Sequence, residues 1–382
     1  MDESQSLGSL IDSPRAEYPA TSQWIYLDSV THGLLPLSAR NHALDYLDAL
    51  FLSKTVAFEA PWENVVRDCV QNFAQMIGAQ TREVGLSPSF SGPSEVLSKI
   101  VKKLRGGNII ICSELTRPDI VAFVRYFAFR YEFNLVELHL EGELSFPLHR
   151  LSRMVNDQTS MVLLPAVSYW RGWRLPLAKI AAICKKHDAF FLADGSSSAG
   201  IIELGDAGNA FDGLLVSPKG NALGLEGICF FFVDESKLSP ESGFADGFNN
   251  AVRPNPFLAQ SYIHFIDLLI ARTALKSLNE FQVSRIEKHA CGLAAQLRLV
   301  FNEFEISIDA PMEASHQSHV VAVGLPPPYI NRSLDPPVLK GLAEKLTSGR
   351  VRFANCRGQL HFGFNLYNRL QDVEDIRRIL TH

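Results

Sequence analysis

Two charged residues stand at the ends of short apolar runs in the middle of the chain. Asp194 closes the run FFLAD, and Lys219 follows the run GLLVS. A lysine amine forms an imine with an aldehyde, and a carboxylate beside a pyridine nitrogen keeps it protonated, so that the ring accepts electrons from a carbanion. The pair therefore predicts a site for pyridoxal 5'-phosphate (PLP), with Lys219 as the Schiff-base lysine and Asp194 as the partner of the ring nitrogen.

The segments around this pair alternate between strand and helix patterns. Strands are predicted at 108–112, 135–140, 161–167, 190–194, 213–216 and 228–233, and a helix at 176–187. Apolar runs without strict alternation, spaced by helices, are typical of a largely parallel sheet covered on both faces. Ligands bind outside the carboxyl ends of such strands. We therefore predict an α/β fold that brings Asp194 and Lys219 to one edge of a sheet.

The length and the change of pattern along the chain predict more than one folding unit. A chain of 382 residues exceeds what a single hydrophobic core usually supports. A long helix is predicted at 257–278, and after it short strands, one of them at 351–356, alternate with helices as in an α+β unit. We predict a flexible arm at 1–20, a large α/β domain at 21–281 and a small α+β domain at 282–382, with residues 21–50 able to pack against the small domain.

Composition narrows the class of function. The formal charge is −5, so the chain lacks the excess of basic residues that is typical of proteins that bind nucleic acid or an anionic membrane. The six cysteines include no C-x-x-C pair. The acidic, polar N-terminus lacks the features of a signal peptide. We therefore expect a globular, cytoplasmic enzyme for a small molecule, with no metal ion, no nucleic acid and no membrane as partner.

Several segments resemble, in the same order, the motifs of class V aminotransferase-fold enzymes. This group includes cysteine desulfurases, isopenicillin N epimerase, kynureninase-like enzymes and the C–S lyase of ergothioneine synthesis. The similar segments are WIYLDSVTHGLLP (24–36), VGLSPSFSGPSEVL (84–97), LLPAVSYWRGWRLPLAKI (163–180), FLADGSSSAG with VSPKGNALGLEG (191–200 and 216–227) and LHFGFNLYNRLQDVEDI (360–376).

The resemblance implies a fold-type I PLP enzyme, a large domain with a mostly parallel mixed sheet plus a small C-terminal domain, working as a homodimer with shared active sites. It places a phosphate-binding turn at the start of a helix, where free N–H groups and the helix dipole favour an anion. The cofactor-binding residues that it implies are Ser91 and Gly92 at that turn, Asp194, Ser197 near a cofactor oxygen, Ser217, Lys219, and Arg253 reaching the phosphate of a neighbouring subunit.

The chain departs from the family pattern where the ring and the substrate should be held. Leu115 stands where an aromatic or histidine residue stacks on the ring, and Pro218 replaces a histidine before the lysine. His361 stands where the family has an arginine that binds the substrate α-carboxylate through two parallel hydrogen bonds, a contact that histidine cannot reproduce. We therefore predict an altered carboxylate site, with His361, Arg357, Arg171 and Ser168 as candidate substrate-binding residues and Arg174 and Arg352 as further candidates.

The reaction stays open at the level of sequence. We predict an enzyme that acts on an amino acid or amine through an external aldimine and a Cα carbanion, as a transaminase or a C–S lyase of the β-elimination type. The alternatives are a cysteine desulfurase that uses Cys356, an epimerase, a degenerate non-catalytic member of the fold, and a serine hydrolase. The last would use Gly195–Ala199 as a poor nucleophile elbow with His319 or His361 as base.

Overall fold

The computed structural model describes residues 14–52, 62–88, 92–205, 207–217, 224, 227–237, 264–324, 337–356 and 358–382. After a short first strand, β1 (Ile25–Tyr26), come the strands of a central sheet. They are β2 (Val84–Pro88), β3 (Asn108–Ile111), β4 (Asn134–Glu137), β5 (Thr159–Pro165), β6 (Phe190–Asp194), β7 (Gly213–Val216) and β8 (Ile228–Val233). The order in the sheet is β2-β8-β7-β6-β5-β3-β4.

The central sheet is mixed but mostly parallel. Strands β4, β3, β5, β6 and β7 run parallel to one another, while β8 is antiparallel to both β7 and β2. Every residue of β5, β6, β7 and β8 is buried, which explains why these runs show no apolar-polar alternation. The predicted α/β fold class is confirmed. Strand β4 ends at Glu137, so the prediction of a strand as far as residue 140 was too long.

Helices cover both faces of this sheet. On one face lie α3 (Gly92–Val101) and α4 (Pro118–Arg130), whose apolar sides pack on β3, β5 and β6. The other face is covered by α2 (Trp62–Ile77), α6 (Leu177–Lys185) and the helix Phe265–Phe281. Each large apolar side chain buried in these layers contributes roughly 1.5–3 kcal/mol. The remaining helices of the first part of the chain are α1 (Leu37–Phe51) and α5 (Leu148–Met154).

A second, antiparallel sheet is built from the later part of the chain. Its strands are β9 (Ile308–Asp309), β10 (Val320–Gly324), β12 (Ala354–Cys356) and β13 (Gln359–Gly363), in the order β12-β13-β10-β9. The helices of this part are Val283–Glu303, Pro337–Ser348 and Leu370–Thr381. Gln282, with φ of 64°, separates the helix that ends at Phe281 from the next one. The division into domains near this residue stays a prediction.

The first strand joins the two ends of the chain. Strand β1 pairs in parallel with β11 (Val351–Arg352), and Asp28 forms a bridge with Gly363. The sequence predicted one strand at 351–356, which was wrong: Phe353 separates β11 from β12, and the two strands belong to different sheets. The long helix predicted at 257–278 begins at Phe265 in the described residues, and 257–263 lie outside them. Within the described residues, none of the helices has the length and apolar character needed to cross a membrane.

Candidate active site

Asp194 lies at the carboxyl end of β6, in the middle of the parallel strands. Its neighbours in register are Pro165 of β5 and Leu215 of β7. The residue is only 3% exposed, and its Oδ1 accepts a hydrogen bond of 3.0 Å from the Ser196 backbone N–H. A carboxylate has four lone-pair sites, so one such bond does not exhaust its capacity. The strand and the turn after it therefore hold a buried anion at the edge of the sheet where ligands bind.

Three serines complete this edge of the sheet. Ser196 Oγ accepts a 3.0 Å hydrogen bond from the Ser217 backbone N–H, so the loop after β6 is tied to the end of β7. Ser196 and Ser217 are buried, while Ser197 is half-buried, and all three line one cleft. We call Asp194, Ser196, Ser197 and Ser217 the floor. Sequence reasoning named three of them and missed Ser196, whose position next to Asp194 was the only signal.

The cleft above the floor has a volume of about 520 Å³. Other parts of its lining come from the segment after β1 and from Phe353 with the first two residues of β12. Asp28 of the first segment is half-buried, and Thr31 donates to it through both its N–H and its hydroxyl group. Burial raises the pKa of Asp28, and these hydrogen bonds offset part of that rise. The other residues that line the cleft are Val30, Thr31, His32, Arg117, Pro118, Asp119, Tyr169, Phe353, Ala354 and Asn355.

His361 does not reach the cleft. It lies in β13, between Ala322 of β10 and Ala354 of β12, and is completely buried. Neither ring nitrogen has a hydrogen-bond partner among the described residues, although the backbone of Trp170 comes near enough to favour the protonated ring slightly. Burial lowers the pKa of His361 to about 4. The side chain is therefore a neutral part of the core at neutral pH.

Arg171 and Ser168 also face the interior. Arg171 is 6% exposed and donates from Nε and Nη2 to the two carboxylate oxygens of Asp309, at 2.8 Å each. Its guanidinium lies 3.7 Å from the ring centre of Trp173. Ser168 Oγ accepts from the Arg171 backbone N–H at 3.1 Å, and Ser168 is buried. Both the hydrogen-bond donors and the planar face of the Arg171 guanidinium are therefore occupied, so this cation has a structural role.

Two further candidates are likewise engaged elsewhere. Arg174 pairs with Glu287, and Arg352 stacks on the ring of Trp24 at 4.0 Å. His361, Arg171 and Ser168 are thus buried outside the lining of the cleft, to which the second sheet contributes Ala354 and Asn355. We call the surface formed by β9, β10, β12 and β13 with Arg171 the small-sheet wall.

Cys356 lies at the edge of the small-sheet wall, beside the cleft residue Tyr169. The thiol is 6% exposed. Burial raises its pKa to about 11, while a hydrogen bond from Tyr169 opposes the rise and nearby Asp28 adds to it. A thiol in such surroundings is protonated and unreactive at neutral pH.

Four of the predicted site residues cannot be placed. Lys219, Ser91, Arg253 and Arg357 lie outside the described residues. Gly92 is described as the first residue of α3, which agrees with a helix that begins at the predicted phosphate turn. Among the described residues, no group of three or more His, Cys, Asp or Glu side chains could hold a metal ion.

Comparison with known proteins places this architecture in a known group. The profile of the family described as Aminotransferase class-V matches residues 25–375. An uncharacterised aminotransferase, YcbU of Bacillus subtilis, is 25% identical over 294 residues, which is 74% of this chain and 76% of that protein. The cysteine desulfurase IscS of Buchnera aphidicola (subsp. Schizaphis graminum) is 24% identical over 365 residues, 86% and 87% of the two chains.

Solved structures share the fold over nearly the whole chain. An apo cysteine desulfurase from Thermococcus onnurineus superposes with a TM-score of 0.74 at 17% identity, covering 99% of this chain and 97% of that one. A complex of the cystine C–S lyase C-DES with its product cysteine persulfide gives a TM-score of 0.76 at 15% identity, covering 95% and 99%. A C-DES mutant with glycine covalently linked to PLP gives 0.77 at 16% identity, covering 96% and 98%.

Proposed function

The chain belongs to the aminotransferase class-V family, and from that premise we propose that it is a PLP-dependent enzyme that acts on an amino acid or an amine. The observation that carries the proposal is the buried carboxylate of Asp194 at the floor of a cleft, at the carboxyl end of the parallel strands. A buried carboxylate is costly unless it is paired or hydrogen-bonded, and a protonated ring nitrogen is a partner of the right charge.

The residues of the floor fit this cofactor. Asp194 would accept a hydrogen bond from the ring nitrogen and keep its proton in place, because an opposite charge within a few ångströms favours the charged form. Ser196 holds the Asp194 turn against β7, and Ser197 and Ser217 supply polar groups at the rim of the ring site. When bound, PLP withdraws electrons from the Cα of a substrate amine. The protein's task is to orient the ring and to place acids and bases around it.

The covalent and phosphate contacts rest on sequence. Lys219, two residues beyond Ser217, would hold the cofactor aldehyde, and its amine would then move the proton at the substrate Cα. Ser91, Gly92 and the first turn of α3 would hold the phosphate, since the N-terminus of a helix favours an anion. Arg253 would meet the phosphate of a partner subunit in a homodimer.

For the reaction we propose transamination or C–S bond cleavage by β-elimination. The relatives named aminotransferase and cysteine desulfurase and the C–S lyase fold support both options. A desulfurase that uses Cys356 as nucleophile is less well supported, because that thiol is buried and its pKa is raised. Epimerisation stays an alternative. A cytoplasmic location would suit such an enzyme.

The substrate carboxylate, where there is one, would not be held by His361 or Arg171. His361 is buried in β13, and the fork of Arg171 is occupied by Asp309. Arg357 stays a candidate from sequence. Substrates whose recognition depends less on an α-carboxylate, including amines, therefore belong in any screen.

The cofactor is tested by spectroscopy and trapping. Purified protein with added PLP should absorb visible light, and borohydride followed by mass spectrometry should find the cofactor on the peptide that carries Lys219. Lys219→Ala should remain folded and lose both signals. Lys237→Ala is a matched control, since Lys237 is an exposed lysine that lies near Asp212. A colourless wild type that ignores PLP, or trapping on another lysine, would contradict the proposal.

The reaction and the assembly need separate measurements. A substrate panel read for keto acid, ammonia, sulfide and alanine distinguishes transamination, elimination and desulfuration. Light scattering at micromolar concentration should give a dimer. A monomer that still binds PLP fully would contradict the proposal of shared active sites.

A further inference from the structure

Leu115 is withdrawn from the cleft by the packing of its own segment. Its side chain is completely buried in the main core. Its backbone carbonyl accepts from the Tyr169 N–H at 3.0 Å, and the carbonyl of Thr116 accepts from the Trp170 indole N–H at 3.1 Å. These bonds fix the segment, in which Leu115 and Thr116 are both buried and do not line the cleft. The residue of this segment that does line the cleft is Arg117.

Arg117 is held in one orientation. Its Nε and Nη2 donate to the two carboxylate oxygens of Asp119, at 3.1 and 2.5 Å, so the two side chains form a bidentate ion pair. The side chain is 17% exposed, and Pro118 fixes the backbone directly after it at the start of α4. Of the described residues that line the cleft, Arg117 is the only lysine or arginine. The cleft thus contains one pre-oriented, planar cation.

This cation shares the cleft with the floor. Arg117 lines the same space as Ser196 and Ser197, the residues of the turn that binds Asp194. Burial alone would lower the pKa of Arg117, but the carboxylates of Asp194 and Asp119 more than offset this, and the pKa is raised. The guanidinium therefore lies within the electrostatic reach of the carboxylate that would face the ring nitrogen.

We infer that the guanidinium of Arg117 packs against the PLP ring at the Asp194 end and is the residue that positions the ring in this enzyme. The inference rests on the proposed function. A guanidinium is planar, weakly hydrated and suited to stacking on aromatic faces, so it can cover a ring where an imidazole or aromatic side chain is absent. Nε and Nη2 of Arg117 are occupied by Asp119, so the planar face of the guanidinium is what the ring would contact.

A cation in this position changes the charge balance at the ring nitrogen. Asp194 favours the protonated nitrogen, whereas a second positive charge nearby disfavours it. The ring nitrogen should therefore hold its proton less tightly than it would with Asp194 alone. The titratable and charged groups that surround Arg117 in the described residues are Asp28, His32, Asp119, Tyr169, Asp194, Cys229 and Cys356.

The test uses full-length protein and PLP labelled with ¹⁵N at the ring nitrogen. In Arg117→Gln, PLP should bind about tenfold more weakly, because the stacking contact is lost, and the ¹⁵N titration should move up by about one pH unit, because the competing cation is gone. Arg117→Lys keeps a point charge without the planar face, so it should weaken binding and leave the ¹⁵N titration close to that of the wild type.

The matched control is Arg125→Gln. Arg125 is exposed on the same helix, outside the cleft, and its loss should change neither reading. Thermal unfolding without PLP shows whether each variant folds. If Arg117→Gln fails to fold, the PLP affinity of Arg117→Lys is the test. An Arg117→Lys variant that binds PLP as tightly as the wild type overturns the inference.

Different outcomes overturn the proposed function and the role of Arg117. A wild type that binds no PLP overturns the proposed function and this inference together. A wild type that binds PLP, with an Arg117→Gln variant of equal affinity and equal ¹⁵N titration, overturns the role of Arg117 alone.

Discussion

The floor and the small-sheet wall face the same cleft but are built in opposite ways. The floor is polar, and its groups are tied to one another by hydrogen bonds that leave the Asp194 carboxylate at the sheet edge. Among the described residues, the small-sheet wall contributes Ala354 and Asn355 of β12 to the cleft, while His361 is buried in β13 and Arg171 is paired with Asp309. One side of the cleft thus has a buried carboxylate at its base, while on the other side neither His361 nor Arg171 is free to bind an anion.

This difference suggests that cofactor and substrate recognition can change separately within one fold. The floor depends on strand ends in a fully buried sheet, where a substitution would disturb the core as well as the site. In the small-sheet wall, by contrast, His361 is buried in β13, and Arg171 is held by a single acidic partner, Asp309.

The largest expected effect is at the floor. Asp194→Asn keeps an acceptor for the Ser196 N–H but removes the charge, and losing one partner of a buried charge pair costs about 2–5 kcal/mol. PLP affinity and turnover should both fall by at least about thirtyfold, measured by equilibrium dialysis and by assay. Asp212→Asn is the control, because Asp212 precedes β7 at the opposite edge of the sheet and should leave PLP affinity unchanged.

The second effect concerns the buried ion pair of the small-sheet wall. Arg171→Met should lower the free energy of unfolding by about 3–5 kcal/mol, because it leaves the Asp309 carboxylate buried without its partner. Urea unfolding of cofactor-free protein measures this. Asp309→Asn should cost a similar amount, and the double variant less than the sum. If the Arg171→Met protein is as stable as the wild type but no longer binds amino acids, Arg171 binds the substrate and is not a structural residue.

The third effect is a pH dependence of stability. The pKa values of His361 and His319 are lowered by burial to about 4 and about 3, against about 6.5 in an unfolded chain. Below about pH 6.5 the unfolded state therefore binds more protons, and stability falls as the pH falls. His361→Leu should reduce this slope by up to about 1.4 kcal/mol per pH unit.

Urea unfolding between about pH 7 and pH 5 measures that slope. His149→Leu, at an exposed histidine, should leave it unchanged. An unchanged slope in His361→Leu would mean that His361 takes up a proton in the folded protein, as an imidazole facing a substrate would.

The smallest expected effect is at Cys356. Its raised pKa and burial predict slow alkylation by iodoacetamide in the native protein and fast alkylation in urea, read by mass spectrometry. Cys356→Ala should change turnover by no more than about twofold, since a protonated thiol is inert. Fast native labelling together with loss of sulfide release would instead identify a desulfurase nucleophile.

The sequence predicted the central sheet well because fully buried strands are continuous apolar runs. The bounds of β6, β7 and β8 match the prediction, and Asp194 is at the predicted strand end. It failed at 351–356, where one run of residues serves two sheets, since which partner a strand pairs with depends on distant residues.

The direction in which a side chain points was the second feature that the sequence did not predict. Sequence placed His361 and Arg171 near a substrate, but register and an acidic partner far along the chain, Asp309, decide where those side chains point. Arg117 gave no signal of its own, because an arginine before a helix-starting proline is ordinary until the fold brings it over the floor.

The pairing of β1 with β11 has a consequence for how the protein is made. The N–H groups of Ile25 and Leu27 donate to the carbonyls of Arg350 and Arg352, and the Leu27 carbonyl accepts from the Gly363 N–H, so residues more than 300 positions apart in the sequence are paired. Closing such a long loop costs entropy, and contacts this distant in sequence form late. On the ribosome the early segment must wait, unpaired, until the last strands emerge. Since Asp28 and Thr31 line the cleft, the cleft is complete only after residues 350–363 have been synthesised.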